Sequence, residues 1–268
     1  MRPAAVKIMG ILNVTPDSFS DGGSYYAFDL AVAQAEKLIA DGADILDIGG
    51  ESTRPFAKPV SLDNELQRTI PVIEAIRRHH RIPISIDTVK AEVARRALAA
   101  GADIINDISA LHHDPEMLEV VQNTTAPVII MHMQGTPADM QVNPVYDDVV
   151  VDIIDFFQER IDWLTANGVD RDRLILDPGI GFGKTVDHNL TILKHLRRFT
   201  ALGQPVLLAH SRKRFLGELS GLAAHQRDQL TAVVSALSVN QGVSFLRVHD
   251  VAATRLAVRL AEAIAQAD

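Results

Sequence analysis

The chain contains no cysteine among its 268 residues. This absence excludes disulfide bonds, catalysis by a thiolate and zinc sites built on cysteine. Positive charge is also scarce, because 26 Lys and Arg stand against 34 Asp and Glu and give a formal net charge of -8. Nucleic-acid-binding proteins normally carry a basic surface, so we expect no nucleic-acid partner.

Long hydrophobic runs are missing as well. No uninterrupted apolar run approaches the roughly 18–20 residues that a helix needs to span a bilayer, so we expect no membrane partner. The first residues, MRPAAVKIMGILNV, lack the long apolar core and the small-residue cleavage site of an export signal. These absences predict a cytoplasmic location.

The segment 177–185 reads DPGIGFGKT and resembles a nucleotide-binding loop at first sight. A P-loop needs four residues between its first Gly and the Gly-Lys pair, and Gly179 and Gly183 are separated by only three. The position for the first Gly is occupied by Pro178, which has no backbone N–H to donate to a phosphate. The glycine spacing also departs from the dinucleotide-binding pattern. The sequence therefore excludes both kinds of nucleotide loop here.

Eight short runs rich in apolar residues alternate with helical patterns along the chain. The runs are 6–14, 43–49, 82–88, 102–109, 127–133, 173–179, 205–211 and 244–250. Runs of this length with apolar residues on both faces are typical of buried parallel strands. The alternation predicts an α/β fold, a (β/α)8 TIM barrel in one domain spanning 1–268. The alternative is a doubly wound open sheet, which usually has fewer strands.

The first helical pattern, DLAVAQAEKLIADG, occupies residues 29–42. Asp29 is the expected N-cap and Gly42 the expected stop, because Asp accepts backbone N–H groups at helix starts and Gly tolerates the left-handed conformation beyond helix ends.

Polar residues collect at the ends of the predicted strands, where barrel enzymes carry their chemistry. Six predicted strands carry a polar residue near the end, and by alternation each points to the same side as the residue two positions before it. These polar residues are Asn13, Asp87, Asn106, Asp177, Ser211 and His249. Any one of them could simply cap the next helix or form a turn. Six on one rim favour a functional site.

Eight segments together resemble the dihydropteroate synthase family over nearly the whole chain. They are ILNVTPDSFSDGG (11–23), DIGGESTRP (47–55), SIDT (85–88), INDIS (105–109), MHMQGTP (131–137), LDPGIGFGKT (176–185), SRKRFLG (211–217) and RVHDV (247–251). The resemblance implies that 7,8-dihydropterin-6-ylmethyl diphosphate and 4-aminobenzoate condense to 7,8-dihydropteroate and diphosphate in folate biosynthesis. It also implies Mg2+ as cofactor and a homodimer, for which the apolar segment 230–242 could supply a face or could equally pack on the barrel.

A pterin ring presents a flat edge of hydrogen-bond donors and acceptors that suits a carboxylate accepting two parallel bonds. Asp177 is the expected carboxylate and Lys213 the expected donor to the pterin carbonyl. The remaining pterin-site residues implied by the resemblance are Asp87, Asn106, Met131 and Phe182. Lys184 is interpreted as a solvated side chain at the start of a helix.

The resemblance places the diphosphate on Asn13, Thr53, Arg54, Arg247 and His249, with Asn13 also a Mg2+ ligand. Taken alone, Arg247 could be a buried ion-pair partner, and His249 with Asp250 could be a helix cap.

The implied catalytic residues are Asp17, Arg54 and Lys213, and the implied 4-aminobenzoate contacts are Ser52, Arg54 and Ser211. A dissociative reaction fits these residues, because diphosphate leaves readily once its charge is neutralised. Asp17 lies in the segment NVTPDSFSDGG, expected to be a mobile lid, and its carboxylate would stabilise the pterin methylene cation.

Phe56 departs from the family, which usually has Gly after STRP, and it puts affinity for 4-aminobenzoate and its sulfonamide mimics in question. His210 is expected to face the helices as a structural histidine, whereas His132 could line the barrel mouth or pack inside the barrel.

Two other functions share this barrel. The pterin-binding domain of a corrinoid methyltransferase needs no diphosphate site, and STRP, SRK and RVHD together favour the synthase. A non-catalytic pterin-binding paralogue often loses lid or diphosphate residues, and this chain keeps them.

Overall fold

A computed structural model describes residues 5–15, 24–52, 57, 59–136 and 139–267. Within these ranges the chain alternates between short strands and helices, as the sequence pattern predicts. The strands are β1 Lys7–Asn13, β2 Ile45–Gly49, β3 Ile84–Asp87, β4 Ile104–Asp107, β5 Val128–Met131, β6 Leu174–Asp177, β7 Leu207–Leu208 and β8 Phe245–Val248. The helices are α1 Ser24–Ala40, α2 Leu62–His79, α3 Ala91–Ala99, α4 Met117–Gln122, α5 Val149–Ala166, α6 Val186–Lys194, α7 Leu196–Thr200, α8 Arg214–Ser220, α9 Asp228–Val239 and α10 Val251–Ala265.

All strand pairs are parallel, in the order β6-β5-β4-β3-β2-β1-β8-β7. A bridge between Leu176 of β6 and Val206, just before β7, brings the two ends of the sheet together. The Leu176 N–H also donates to the Pro205 carbonyl at 2.9 Å. The TIM barrel is therefore confirmed, and the open-sheet alternative is wrong.

Strand alternation divides the apolar residues into two sets. The inward set fills the lower part of the barrel and consists of Met9, Ile45, Ile104, Ile129, Ile175, Leu207 and Ala209, with Phe245 packed against it. The outward set, which includes Ile8, Leu46 and Ile48, packs against the surrounding helices. Because apolar residues fill the inner layer, the polar residues near the carboxyl ends of the strands are left to line the mouth.

The helix that follows β1 begins earlier than the sequence pattern indicated. α1 starts at Ser24, so Asp29 lies within the helix and the prediction that it is the N-cap is wrong. Gly42 lies just beyond the helix with φ 95°, the left-handed conformation expected of a C-terminal stop.

Two of the predicted helical stretches are each divided in the described chain. β6 is followed by α6 and α7, with His195 between them at φ -113° and ψ 23°, and β7 is followed by α8 and α9. No helix in the described ranges combines the length and the apolar character needed to cross a membrane.

Buried polar contacts join the outer helices to the barrel. His210 is fully buried, and its Nε2 lies 3.0 Å from the Thr231 carbonyl and 3.0 Å from Ser235 Oγ of α9. Burial lowers the pKa of His210 to about 4, so the imidazole is neutral at pH 7. The prediction of a structural histidine facing the helices is confirmed.

Candidate active site

A cavity of about 1130 Å³ opens at the carboxyl ends of the strands. Seven residues proposed from the sequence line it: Asn13, Ser52, Phe182, Ser211, Lys213, Arg247 and His249. They come from the ends of β1 and β8 and from the segments after β2, β6 and β7. The barrel therefore brings together side chains that lie up to 236 positions apart, as the strand-end pattern predicted.

Arg247 connects this cavity to two buried carboxylates. Its Nε donates to Asp47 Oδ2 at 2.6 Å, and its Nη2 donates to Asp87 Oδ2 at 2.6 Å. The buried ion pair considered from the sequence is therefore present. Its third nitrogen, Nη1, makes no hydrogen bond within the described residues. The guanidinium thus keeps donors for a ligand while its position is fixed by two strands.

Asp47 is the functional-site residue that sequence reasoning missed. It is fully buried, and register places it beside Ile11 of β1 and Ser85 of β3. Alternation in ILDIG, where Asp47 shares the inner face with Ile45, was the signal that could have found it. A charged residue at an inward barrel position needs a partner, and Arg247 is that partner.

The charged groups in this cluster shift one another's pKa values. Burial alone would lower the pKa of Arg247, but the carboxylates of Asp47 and Asp87 raise it above its ordinary value. Burial raises the pKa of Asp87, against the lowering effect of Arg247. The guanidinium is therefore permanently charged, and it holds the two acidic groups at the floor of the site.

Two acceptors in this cluster remain available to a ligand. Asp87 Oδ1 is buried and has no hydrogen-bond partner within the described residues, and the same holds for the Ser85 hydroxyl. Asn106 donates through Nδ2 to Asp47 at 3.3 Å, which directs its carboxamide oxygen away from that carboxylate. Buried polar atoms normally find partners, so this surface suits a ligand with several donors.

Asp177 ends β6 and is almost completely buried. Its Oδ1 accepts the Gly179 N–H at 2.8 Å, and its carbonyl accepts the His132 N–H at 3.0 Å. Burial raises the pKa of Asp177 to about 6, opposed by the Gly179 hydrogen bond and by Lys213. At neutral pH the group is an ionised carboxylate with Oδ2 left to accept hydrogen bonds.

Phe182 and Lys213 form one wall of the site. The Lys213 ammonium lies 3.8 Å from the centre of the Phe182 ring, within cation–π range. Burial lowers the pKa of Lys213 to about 8, and Arg247 adds to this effect. Met131 is buried in a cluster with Phe182, Ile108 and Met140, so it supports the wall from behind.

Ser211 and His249 are connected by two hydrogen-bond contacts. Ser211 Oγ lies 2.9 Å from His249 Nδ1 and accepts the His249 backbone N–H at 3.1 Å. Ser211 thus holds both the backbone and the ring of His249 in place. Asp250 caps α10 by accepting the Ala253 N–H at 3.0 Å, so the cap considered from the sequence is formed by Asp250 and not by His249.

The interpretation of Lys184 as a solvated side chain is wrong. Lys184 is only 4% exposed, and its ammonium donates to the Phe182 carbonyl at 2.9 Å and lies 3.1 Å from His132 Nδ1. It does precede a helix start, because Thr185 caps α6. The lysine turns inward because the glycine-rich loop, with positive φ at Gly179, Gly181 and Gly183, folds back over the end of β5.

Three site residues proposed from the sequence, Asp17, Thr53 and Arg54, lie outside the described residues, and so does Phe56. Within the described ranges, no group of three or more His, Asp or Glu side chains is arranged to hold a metal ion.

The fold and the mouth together define a TIM-barrel enzyme whose site pairs buried carboxylates and a carboxamide with the cations Lys213 and Arg247 and with a histidine. A family model described as "Pterin binding enzyme" matches residues 9–249 of the chain. The chain belongs to the dihydropteroate synthase family of pterin-binding enzymes.

Individual relatives carry that family assignment. The dihydropteroate synthase of Haemophilus influenzae is 46% identical over 97% of this chain and 94% of its own length. A dihydropteroate synthase structure from Xanthomonas albilineans with 4-aminobenzoic acid superimposes with a TM-score of 0.93 at 46% identity, covering 98% of this chain and 94% of that one. Another structure of the Xanthomonas albilineans enzyme, in complex with 7,8-dihydropteroate, gives a TM-score of 0.90 at 44% identity, covering 98% and 95%.

Proposed function

We propose that this chain is a dihydropteroate synthase of folate biosynthesis. It condenses 7,8-dihydropterin-6-ylmethyl diphosphate with 4-aminobenzoate to give 7,8-dihydropteroate and diphosphate. The observation that carries this proposal is the buried set of acceptors at one barrel mouth, formed by Asp87, Asn106 and Asp177, beside the cations Lys213 and Arg247. The family relationship supports the synthase over a corrinoid methyltransferase domain or a non-catalytic paralogue.

The pterin ring would bind by its donor edge to the buried acceptors. The Asp177 carboxylate accepts two parallel hydrogen bonds from the ring N–H and amino groups, as a carboxylate does with a guanidine-like edge. Asp87 Oδ1 and the Asn106 carboxamide oxygen accept the remaining ring donors. Lys213 donates to the pterin carbonyl, and the ring lies against the wall formed by Lys213 and Phe182, which Met131 supports from behind.

The diphosphate would occupy the part of the cavity lined by Asn13, Arg247 and His249. His249 would contact the diphosphate while Ser211 holds its Nδ1 side, and Arg247 would donate from Nη1. Thr53 and Arg54 are proposed to complete this site.

The chemistry of Asn13 fits Mg2+, which prefers one or two protein oxygens together with phosphate oxygens and water. Asn13 ends β1 and lines the same cavity as Arg247 and His249, so its carboxamide oxygen would be the protein ligand. The ion would add positive charge beside the leaving group.

The reaction proposed is dissociative. Arg247 and His249 neutralise the charge that develops on diphosphate as the carbon–oxygen bond breaks. Asp17, on the segment after β1, would stabilise the pterin methylene cation, and Arg54 would assist at the same centre. The neutral aniline nitrogen of 4-aminobenzoate then attacks and needs no strong base. Ser52, Arg54 and Ser211 would hold the aminobenzoate.

We also propose that residues 1–268 form one domain, that the enzyme is cytoplasmic and that it is a homodimer. Large apolar side chains on α9 and α10 face outward and support the dimer: Val233, Leu237, Leu256, Leu260 and Ile264.

Diphosphate release from the pterin substrate in the presence of Mg2+, with and without 4-aminobenzoate, tests the reaction. Release coupled to dihydropteroate formation is expected. Tight binding of the pterin substrate without release would instead support the non-catalytic paralogue.

A further inference from the structure

Lys184 is a buried lysine that the proposed reaction does not use, and burial lowers its pKa to about 7. Its ammonium is satisfied by three acceptors: the Phe182 carbonyl at 2.9 Å, His132 Nδ1 at 3.1 Å and the His132 carbonyl at 3.3 Å. No carboxylate bonds to it within the described residues. A buried ammonium is costly, and it is tolerated when every N–H has an acceptor.

Its acceptors lie on two different parts of the site. His132 follows β5 directly, whereas Phe182 lies in the loop between β6 and α6. The same loop passes very close to the end of β5, because a Cβ added to Gly179 would lie 1.9 Å from the His132 carbonyl oxygen. Lys184 therefore ties the loop to β5 where the two backbones are in closest contact.

This tie affects both sides of the proposed pterin pocket. Gly179 donates its N–H to Asp177 Oδ1 at 2.8 Å, so the position of the loop sets the orientation of that carboxylate. The Phe182 carbonyl is bonded by Lys184, while the Phe182 ring lies 3.8 Å from the Lys213 ammonium. The amino group of one buried lysine thus holds the segment that carries Asp177 and the aromatic wall.

The state of His132 agrees with this arrangement. Burial and, to a smaller extent, the charge of Lys184 lower the pKa of His132 to about 2. The imidazole is therefore neutral at pH 7, and its Nδ1 lone pair is available to accept from Lys184. Its ring packs edge-on against Phe156, with centroids 5.0 Å apart.

Other hydrogen bonds hold the loop from its outer side. The Tyr146 hydroxyl donates to the Gly183 carbonyl at 2.7 Å, and Gln141 donates to the Gly181 carbonyl at 2.6 Å. These bonds connect the loop to the segment before α5. We expect them to keep the loop folded when Lys184 is replaced, because they join it to a segment other than β5.

We infer that Lys184 is a positioning residue for the pterin pocket, which locks the loop between β6 and α6 onto the end of β5 and thereby fixes Asp177 and Phe182. The inference rests on the proposed function. It assigns Lys184 an effect on pterin affinity, exerted through the loop and without contact with either substrate.

The variant Lys184→Met tests this inference, because Met keeps an unbranched apolar stem and removes the donors. We expect the dissociation constant of 6-hydroxymethyl-7,8-dihydropterin, which carries the ring without diphosphate, to rise by about tenfold or more, as displaced site groups commonly cause. The KM for 4-aminobenzoate at saturating pterin diphosphate should stay nearly constant. Lys194→Met, an exposed lysine at the end of α6, is the matched control and should behave as wild type.

Unchanged ring affinity in a folded Lys184→Met protein, shown by calorimetry together with circular dichroism, would overturn the inference. If that variant does not fold, His132→Phe decides, because it removes one acceptor and keeps an aromatic ring against Phe156. A several-fold loss of ring affinity is then expected, and wild-type affinity contradicts the inference. Absence of turnover in the wild-type protein would count against the proposed function and not against the loop contact.

Discussion

At the scale of single residues, the burial of Asp177 lowers the folding free energy available to the protein when its carboxylate is ionised. Burial raises its pKa from 3.8 to about 6. The folded state therefore holds a proton on this group at pH values where the unfolded chain has lost it. The stability gained from that proton is complete below about pH 4 and is lost as the pH rises through 6, at a cost on the order of 3 kcal/mol at neutral pH.

Affinity for the pterin should rise with pH, whereas the contribution of Asp177 to stability falls as the pH rises. Only the ionised Asp177 accepts two hydrogen bonds, so pterin binding should weaken as the pH falls through about 6. We expect Asp177→Asn to lose about 30-fold or more in affinity for the pterin ring at pH 8, from roughly 2 kcal/mol or more of lost charge-assisted bonding. The difference from wild type should shrink below pH 6, where both side chains are neutral.

Calorimetric titration of the dihydropterin between pH 5 and pH 8 measures this difference. Subtracting the variant's profile from that of wild type removes the contribution of Asp87, whose pKa burial also raises. Asp162→Asn, on the exposed face of α5, is the control for loss of one negative charge. A difference that stays constant with pH would contradict the assignment of Asp177.

Individual residues were predictable from the sequence only when their neighbours were local. Asp87, Asn106 and Asp177 stand at strand ends, and alternation alone places them inside the mouth. The inward turn of Lys184 depends on a loop that folds over β5, some 50 positions earlier, and no local pattern encodes it. Alternation in ILDIG places Asp47 on the inner face, but its pairing with Arg247, 200 positions away, has no local pattern.

At the scale of elements, all eight strands lie within the runs identified from the sequence. Both faces of these strands are buried, so each strand appears in the sequence as a nearly continuous apolar run, a clearer pattern than that of the outer helices. Helix limits were less predictable. Asp29 has the chemistry of an N-cap, yet α1 begins at Ser24, because packing of the whole segment and not one side chain determines where a helix starts.

The loop between β6 and α6 depends on glycine at one position more than at the others. Gly179 has φ 69°, and a Cβ there would lie 1.9 Å from the His132 carbonyl oxygen. Gly179→Ala is therefore expected to displace the loop and reduce both stability and pterin affinity. Gly168→Ala is the matched control, since Gly168 has φ 82° but no atom within 4 Å of the added Cβ.

Urea unfolding and calorimetry separate the two effects. Gly168→Ala should cost about 1 to 2 kcal/mol of folding free energy, the strain of a left-handed alanine, and leave binding intact. Gly179→Ala should cost clearly more and weaken ring binding. Equal losses of stability in the two variants, with unchanged affinity, would mean that the loop can move away from β5 without affecting the site.

At the scale of the whole molecule, α9 buries small side chains and exposes two large apolar ones. Its buried positions are occupied by small side chains, Thr231, Ala232, Ser235 and Ser238, several of which bond to neighbouring groups. Two of its large apolar side chains face outward, Val233 at 54% and Leu237 at 68% exposure, whereas Leu230, Val234 and Val239 pack partly buried against the core. On the adjacent α10, Leu256 and Leu260 are 69% and 64% exposed. Contiguous apolar side chains on a surface usually mark a contact with another chain.

This outward surface of α9 and α10 is the face proposed for the homodimer. Replacing Leu237 and Leu260 together with Glu should prevent association, because two buried like charges would oppose each other across a symmetric contact. Light scattering on the eluting protein should give twice the 29.2 kDa chain mass for wild type and the single chain mass for the double variant. Leu190→Glu, a partly exposed leucine on α6, should remain dimeric. A wild-type protein that elutes as a single chain at micromolar concentration would contradict the dimer. A double variant that still elutes as a dimer would move the contact to another face of the barrel.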